Sequence, residues 1–234
     1  MPRPLSLRWT FGQVPRTVRW IILATALVSI AAAVGLRNGA TVLLEGVLVV
    51  PDVFRGQVWR LVTWVFYEMD ALALVFACLT LWWFGKDVAT TLGRRRFLAF
   101  YFGVAAIAAV GTCLLALLWP DVARIAHGGS WPVLVGVLVA WAMMFPERPL
   151  RFWGLPLVGR HLLPITLGGT VLFAVFRGLA LYIPHFIAEA AVLAWLGPVQ
   201  RTLTARQKEL RERAARGEAW SFDAWFDKEK RRRK

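Results

Sequence analysis

Residues 20–36 read WIILATALVSIAAAVGL, a stretch without a single charged residue. A helix that crosses a bilayer needs about 20 mostly apolar residues, so this stretch and its flanks are long enough to span one. The chain as a whole is rich in apolar residues: 58% of its 234 residues are hydrophobic and the mean hydropathy is +0.56. This composition exceeds that of ordinary globular chains. It indicates an integral membrane protein.

Further apolar stretches predict an all-α, polytopic membrane protein with a six-helix bundle. The predicted spans are residues 20–36, 67–84, 97–118, 131–145, 161–177 and 179–197. The chain then divides into an N-terminal segment (1–19), a membrane domain (20–197) and a basic tail (198–234). The first stretch lacks a clear small-residue cleavage site, so we expect a retained helix rather than a signal peptide.

The formal charge of +14 is distributed unevenly between the two sides of this bundle. Of the 28 Lys and Arg residues, 23 lie in the N-terminal segment, the second and fourth connections and the tail. The alternate connections hold only five, which are Arg37, Arg55, Arg60, Arg124 and Arg177. The positive-inside rule therefore places both termini in the cytoplasm. Topology accounts for most of the basic charge, and we expect no nucleic-acid partner.

The end of the tail combines aromatic and basic residues. Trp220, Phe222, Trp225 and Phe226 precede the run Lys228–Lys234, which contains six basic residues. Such a segment can bind anionic lipid headgroups, with each Lys or Arg near the surface worth about 1 kcal/mol. The simpler interpretation is a solvated tail that reinforces the topology.

The sequence carries little other recognisable chemistry. The three histidines, His127, His161 and His185, fall on different predicted elements without ligand spacing, so no metal site is expected. A Gly-rich phosphate loop with its lysine is also missing, and no cofactor is expected.

Three motifs follow one another along the predicted membrane domain. GQVWRLVT (56–63) leads into the second span, LWWFG (81–85) closes it, and Gly136 followed by MMFPER (143–148) marks the fourth. In this order and topology the motifs resemble those of the rhomboid family of intramembrane serine proteases, over roughly residues 50–197. The resemblance implies a six-helix bundle with a catalytic serine at the outer end of helix four and a histidine on helix six.

The resemblance also implies structural roles for four residues. Trp59, Arg60, Gly85 and Gly136 match landmarks of the family's fold. Arg60 is expected to order the long external loop by hydrogen-bonding backbone carbonyls; snorkelling to the interface is an equally simple role. Glu68 and Asp70 are expected near the outer end of helix two, where they pair with Arg60 or lie among headgroups.

The catalytic positions implied by the resemblance mostly hold other residue types. Alignment on Gly136 and Phe145-Pro146 puts Trp131 at the nucleophile position, one residue after Ser130. In the family register of helix two, Glu68 stands where a histidine is common, while Ala73 and Ala77 stand at the oxyanion positions. An alanine side chain offers no hydrogen-bond donor.

His185, on helix six, is the one residue of matching catalytic type, and Glu189 follows it by one helical turn. A packed structural histidine is an equally simple interpretation.

These observations support three hypotheses. The first is a rhomboid-like protein without protease activity that binds transmembrane clients in the bilayer, in which Trp131 projects into the bundle toward His185 and Ser130 points away. The second is an active intramembrane serine protease that uses Ser130 and His185. The third is a transporter-like or purely structural membrane protein. The compact architecture predicts a bacterial inner membrane.

Overall fold

The computed structural model describes residues 14–40, 44–152 and 155–215, without the side chains of 151, 152, 155, 156 and 198–215. The helices are α1 (Arg16–Arg37), α2 (Val50–Phe54), α3 (Arg60–Thr63), α4 (Ala71–Thr80), α5 (Lys86–Leu92), α6 (Arg94–Ala116), α7 (Pro120–Ala123), α8 (Trp131–Met144), α9 (Gly159–Arg177) and α10 (Leu179–Ala215). A 3-10 turn (Trp64–Phe66) continues α3, and a π-helical segment (Leu81–Gly85) joins α4 to α5.

The described part of the chain contains five helices that are long and apolar enough to cross a membrane. They are Arg16–Arg37, Ala71–Leu92, Arg94–Ala116, Gly159–Arg177 and Leu179–Gly197. A sixth apolar helix, α8, has 14 residues and is therefore about 21 Å long. The predicted all-α, polytopic fold is confirmed.

The short helix α8 lies at the centre of the bundle, since 11 of its 14 residues are buried. Gly136 faces two neighbouring helices: a Cβ atom there would lie 3.1 Å from Val192 of α10 and 3.4 Å from Val104 of α6. This spacing is tighter than ordinary contact, so a larger residue would push the helices apart. Gly136 thus sets how closely α8 packs.

The second span begins four residues later than expected. The prediction placed its start at residue 67, whereas α4 starts at Ala71, because the Asp70 carboxylate caps the helix by accepting the Ala73 N–H at 2.9 Å. Residues 67–70 form a loop. Glu68 therefore lies outside the helix, and Asp70 is its N-cap.

Arg60 lies inside the external loop of residues 38–66 and is only 5% exposed. Its guanidinium donates to the Val47 carbonyl and, at 2.6 Å, to the Gln57 side chain, and it pairs with Asp52 at 3.3 Å. The expected pairing of Arg60 with Glu68 or Asp70 does not form, because both carboxylates accept other hydrogen bonds.

Trp59 also fastens the external loop, by an indole N–H that donates to the Glu45 carbonyl at 3.3 Å. The same loop contains a mostly apolar run at residues 42–50, which lies partly outside the described residues. Of its described members, Val47, Leu48 and Val50 are buried in protein, whereas Glu45 is exposed. Leu48 forms an antiparallel bridge with His127, which ties the loop to the segment before α8.

On the side that the charge distribution predicts to be cytoplasmic, two short antiparallel strands, β1 (Pro149–Phe152) and β2 (Leu155–Val158), connect α8 to α9. The mixture of proline, aromatic and arginine residues in 146–160 favours an interfacial loop, and the strand pair departs from that expectation. Gly159, the first residue of α9, lies against the end of α8. A Cβ atom on it would lie 2.0 Å from the Phe145 carbonyl, so only glycine allows this close return of the chain.

Residues 195–215 belong to a second compact unit, in which α10 continues through Pro198 to Ala215. The alternating charges of residues 199–216 are compatible with a helix. The aromatic and basic stretch from Trp220 to Lys234 lies outside the described residues, as do residues 1–13.

Candidate functional site

Ser130 is the N-cap residue of α8 and is completely buried. The preceding Gly129 has φ +107°, a conformation that residues with a side chain rarely adopt. Its N–H donates to the Trp64 carbonyl at 3.0 Å. Pro132 follows at the second helical position, where its missing N–H leaves no intrahelical bond unmade. This turn directs the Ser130 side chain into the protein.

The acceptor for Ser130 is Glu68. The Ser130 backbone N–H and hydroxyl both donate to Glu68 Oε1, each at 2.6 Å. Glu68 Oε2 lies under the same turn, since a Cβ on Gly129 would lie 2.9 Å from it. The expected orientation of Ser130 away from the bundle is therefore wrong, because a carboxyl group inside the protein binds it.

Glu68 is itself held by the first helix. Its backbone N–H donates to the Ser29 hydroxyl at 3.0 Å, and that hydroxyl donates to the Phe66 carbonyl at 2.9 Å. Ser29 is 3% exposed and Glu68 is 7% exposed. A continuous chain of hydrogen bonds thus connects α1, the loop before α4 and the start of α8. We call Ser29, Glu68 and Ser130 the outer polar cluster.

The electrostatic environment of Glu68 favours its protonated form. Burial raises the pKa of the Glu68 carboxyl above its usual range, the two Ser130 hydrogen bonds oppose this shift, and the nearby Asp70 charge adds to it. Among the described residues, no cation forms an ion pair with Glu68. This carboxyl therefore takes up a proton more easily than an exposed one.

His185 lies on α10, outside the outer polar cluster. Its ring packs on Tyr182 with the centroids 4.7 Å apart, and its Nδ1 atom is buried without a hydrogen-bond partner. Within the described part of the chain, no hydrogen bond joins Ser130 to His185. Both hydrogen bonds of Ser130 that involve a side chain go to Glu68. The serine and the histidine are thus not paired.

The described residues contain a second imidazole that has a buried nitrogen without a hydrogen-bond partner. This is His127, which is 4% exposed in the loop before α8, with Nε2 lacking a partner. Burial lowers the pKa of His127 to about 4, although a backbone hydrogen bond at Val122 opposes the shift. His127 is therefore neutral near pH 7.

The remaining predicted site residues lie on α8 and α4. Trp131 is partly exposed at the first position of α8, Ala73 is partly exposed, and Ala77 is completely buried. The Ala73 backbone N–H is already bound to Asp70. Whether these positions correspond to the family's nucleophile and oxyanion positions stays a prediction from the motif register.

Glu189 is a buried carboxyl in the last span. It accepts the Thr170 hydroxyl of α9 at 2.6 Å and is 3% exposed. Although it follows His185 by one turn, its recorded partner is on the neighbouring helix. In the described part of the chain, no three His, Cys, Asp or Glu side chains group together in a way that would hold a metal ion.

The comparison with known families decides the identity of this bundle. The family model for the Rhomboid domain matches residues 55–198. The chain belongs to the rhomboid family. The match covers more than half of the chain and nearly the same region as the motifs, so the predicted membership is confirmed. No curated protein matches the chain.

Sequence analysis missed the central contact of this rhomboid-family protein. The sequence predicts Glu68 to replace a family histidine and to pair with Arg60 or lie among headgroups, whereas its pairing with Ser130 bridges 62 residues of sequence. The one available signal was a carboxylate beside an apolar span. Intramembrane or near-membrane acids usually have a function or a partner.

Proposed function

We propose that this rhomboid-family protein does not cleave peptide bonds and instead binds transmembrane segments of client proteins. The observation that carries the first half is the hydrogen bond from the Ser130 hydroxyl to the Glu68 carboxyl. A serine becomes a nucleophile only when a neighbouring base accepts its proton. Here the serine's partner is a buried carboxyl, and the expected base, His185, is not bonded to it.

Access is a second argument against catalysis by Ser130. The residue is 0% exposed and lies under the turn that begins α8. A scissile carbonyl has to come within about 3.5 Å of the attacking oxygen. Ser130 is bonded to Glu68 within the outer polar cluster, and substrate access would require these hydrogen bonds to break. Complete burial of the Ser130 side chain is typical of a structural residue rather than of an accessible nucleophile.

The oxyanion positions supply a third argument, which rests on the family register. Ala73 and Ala77 have no side-chain donor, and the Ala73 N–H already caps α4 through Asp70. Loss of one oxyanion donor reduces the rate of serine proteases by about 10²–10³. A site without both donors would be far slower.

The client-binding half is supported by an intact scaffold with an open face on α9. Two of the residues that match the family's landmarks make close contacts: Gly136 packs against α10 and α6, and Arg60 donates to the Val47 carbonyl. Gly168 and Gly169 of α9 have no atom within 4 Å of an added Cβ, so within the described chain no helix uses this small-residue surface. Small residues let the backbones of membrane helices approach closely. Another helix can therefore pack here.

The proteolysis half is tested in liposomes with a fluorophosphonate probe and a fluorescent transmembrane substrate. We expect neither labelling nor cleavage, with an active rhomboid protease in the same liposomes as the positive control. The alternative is an active protease that uses Ser130 and His185. Labelling that Ser130→Ala and His185→Ala both abolish would establish that alternative.

The client half is tested by quantitative co-purification in a mild detergent. We expect Gly168→Leu with Gly169→Leu to lower the recovery of transmembrane proteins several-fold relative to the unmodified chain. The matched control is Gly103→Leu on α6, which also has nothing within 4 Å of its added Cβ. An equal loss with the control would contradict a specific role of α9. The bacterial inner membrane remains the proposed location, to be tested by membrane fractionation.

A further inference from the structure

A groove between α1 and α6 combines basic and apolar residues. On α1 it is lined at helical spacing by Arg16, Trp20 and Ala24, and on α6 by Arg94 and Phe102. The three residues on α1 are four positions apart and the two on α6 are eight positions apart, so each set lies on one face of its helix. The groove has a volume of about 520 Å³. That size lies within the usual range of ligand pockets.

The groove is basic at one end and apolar along its length. Both helices begin at the cytoplasmic side in the topology given by the charge distribution, which puts Arg16 and Arg94 at the same end. From there the walls are mostly apolar and aromatic over eight residues of each helix, about 12 Å, with Thr17 as the one polar uncharged lining residue. Phe66, whose ring lies 6.0 Å from that of Phe102, also lines the groove.

The charge at the basic end is unbalanced. No lining residue is acidic, and neither α1 nor α6 has an acidic residue in its first turn. Among the described residues, neither Arg16 nor Arg94 forms an ion pair. Both arginines are exposed. A ligand with an anionic head and an apolar body complements this arrangement.

We propose that the groove binds an anionic phospholipid of the cytoplasmic leaflet. The phosphate lies between Arg16 and Arg94, and one acyl chain follows Trp20, Ala24 and Phe102. Basic pockets between membrane helices on the cytoplasmic side favour anionic headgroups. The proposal is independent of whether the protein cleaves substrates, because the groove shares no residue with the outer polar cluster.

The headgroup contact is tested with two matched double variants. The protein is purified in detergent, exchanged into mixed micelles, and titrated with phosphatidylglycerol or phosphatidylcholine while bound lipid is counted by native mass spectrometry. Arg16→Gln with Arg94→Gln removes the two groove arginines. Arg19→Gln with Arg95→Gln removes the same charge from the first turns of the same helices, and neither residue lines the groove.

We expect the groove variant to bind phosphatidylglycerol about thirtyfold more weakly, from about 1 kcal/mol for each arginine. The control variant should change this affinity less than threefold, and phosphatidylcholine should bind weakly to all forms. An equal loss in both double variants would mean diffuse attraction to the basic surface and would overturn the proposal. So would unchanged binding by the groove variant.

The acyl contact is tested separately by Ala24→Trp, which fills the groove without changing charge. The control is Ala33→Trp on the same helix, an exposed position beyond the groove. We expect at least a fivefold loss of phosphatidylglycerol binding with Ala24→Trp alone. Equal binding by both variants would contradict an acyl chain in the groove. Thermal unfolding of each variant, measured without added lipid, confirms that it remains folded.

Discussion

The two ends of α8 are each held by one carboxyl group. At the outer end, Glu68 accepts two hydrogen bonds from Ser130 at 2.6 Å. At the cytoplasmic end, Asp87 of α5 accepts the Trp141 indole N–H at 3.0 Å and pairs with Arg148 at 2.7 Å. Both arrangements fix a helix end to the second span or to the loop before it.

The two ends differ in charge balance and in exposure. Asp87 has a cationic partner whose side chain is 48% exposed, and this arginine also lies 5.8 Å from the Trp141 ring. Glu68 is 7% exposed and, in the described part of the chain, has only uncharged donors. The cytoplasmic contact is therefore a solvent-screened clamp. The outer contact is a buried polar site, in the region where the family resemblance places the active site.

Replacement of Glu68 should produce the largest effect. Glu68→Ala leaves the Ser130 N–H and hydroxyl buried without an acceptor, and each unsatisfied group costs about 1–3 kcal/mol. We expect the free energy of unfolding to fall by about 4 kcal/mol. Unfolding in mixed micelles of dodecyl sulfate and dodecyl maltoside, followed by tryptophan fluorescence, measures this change.

The control for this prediction is Glu68→Gln. The amide keeps an acceptor oxygen for Ser130 and the size of the side chain, so we expect a loss below about 1 kcal/mol. If both variants lose the same stability, the ionised carboxylate rather than its acceptor oxygen stabilises the turn, and the comparison with Asp87 has to be revised.

The outer end should also respond to pH through His127, which lies in the same loop as Ser130. Its pKa in the folded protein is about 4, against an ordinary value of 6.5, so the folded state binds fewer protons between these values. The stability contribution of His127 therefore rises as pH increases from about 4 to 6.5. The shift corresponds to at most about 3 kcal/mol.

The measurement compares unfolding of the unmodified chain and His127→Asn at several pH values. The asparagine amide retains a donor but does not titrate in this range. We expect the stability difference between the two proteins to grow in favour of His127 as pH rises. Glu68→Gln gives the opposite slope, since the raised pKa of Glu68 makes its contribution fall as pH increases above about 4.5. Two slopes of the same sign would contradict this assignment of the groups.

Hydropathy, charge and motif order were sufficient to predict the bundle. Each of these signals is local: an apolar run of sufficient length has to satisfy its backbone hydrogen bonds as a helix, and basic residues mark the cytoplasmic connections. The predicted fourth helix, 131–145, differs by one residue from α8. The exception at the second span came from Asp70, whose side chain caps the helix and so excludes residues 67–70 from it.

The contacts of the candidate site were not predictable in the same way. The partner of Ser130 depends on how a loop 62 residues earlier in the chain packs under the turn at Gly129. A single sequence does not show that these two segments lie close together. The motif register singles out Glu68, at a position where the family often has histidine, and Ser130, one residue before the expected nucleophile position. It could not indicate that the two side chains bind each other.

The cytoplasmic end of α8 should show the smallest effect and so completes the comparison. Asp87→Ala leaves the largely buried Trp141 indole without its acceptor, whereas Arg148 can turn to solvent; we expect a loss of about 1–2 kcal/mol. Asp87→Asn keeps an acceptor and loses only the ion pair. Its cost should be about 0.5 kcal/mol and should shrink at high salt.

The matched control is Glu147→Gln, which removes the exposed pair between Glu147 and Arg160 and should change stability by less than about 0.5 kcal/mol. The same micelle unfolding at low and high salt measures all three variants. If Asp87→Asn costs as much as Glu68→Ala, the ion pair with Arg148 is not screened, because a screened pair cannot supply several kcal/mol. The cytoplasmic end of α8 would then be held as tightly as the outer end. Neither burial nor charge balance would then explain a difference in stability between the two ends.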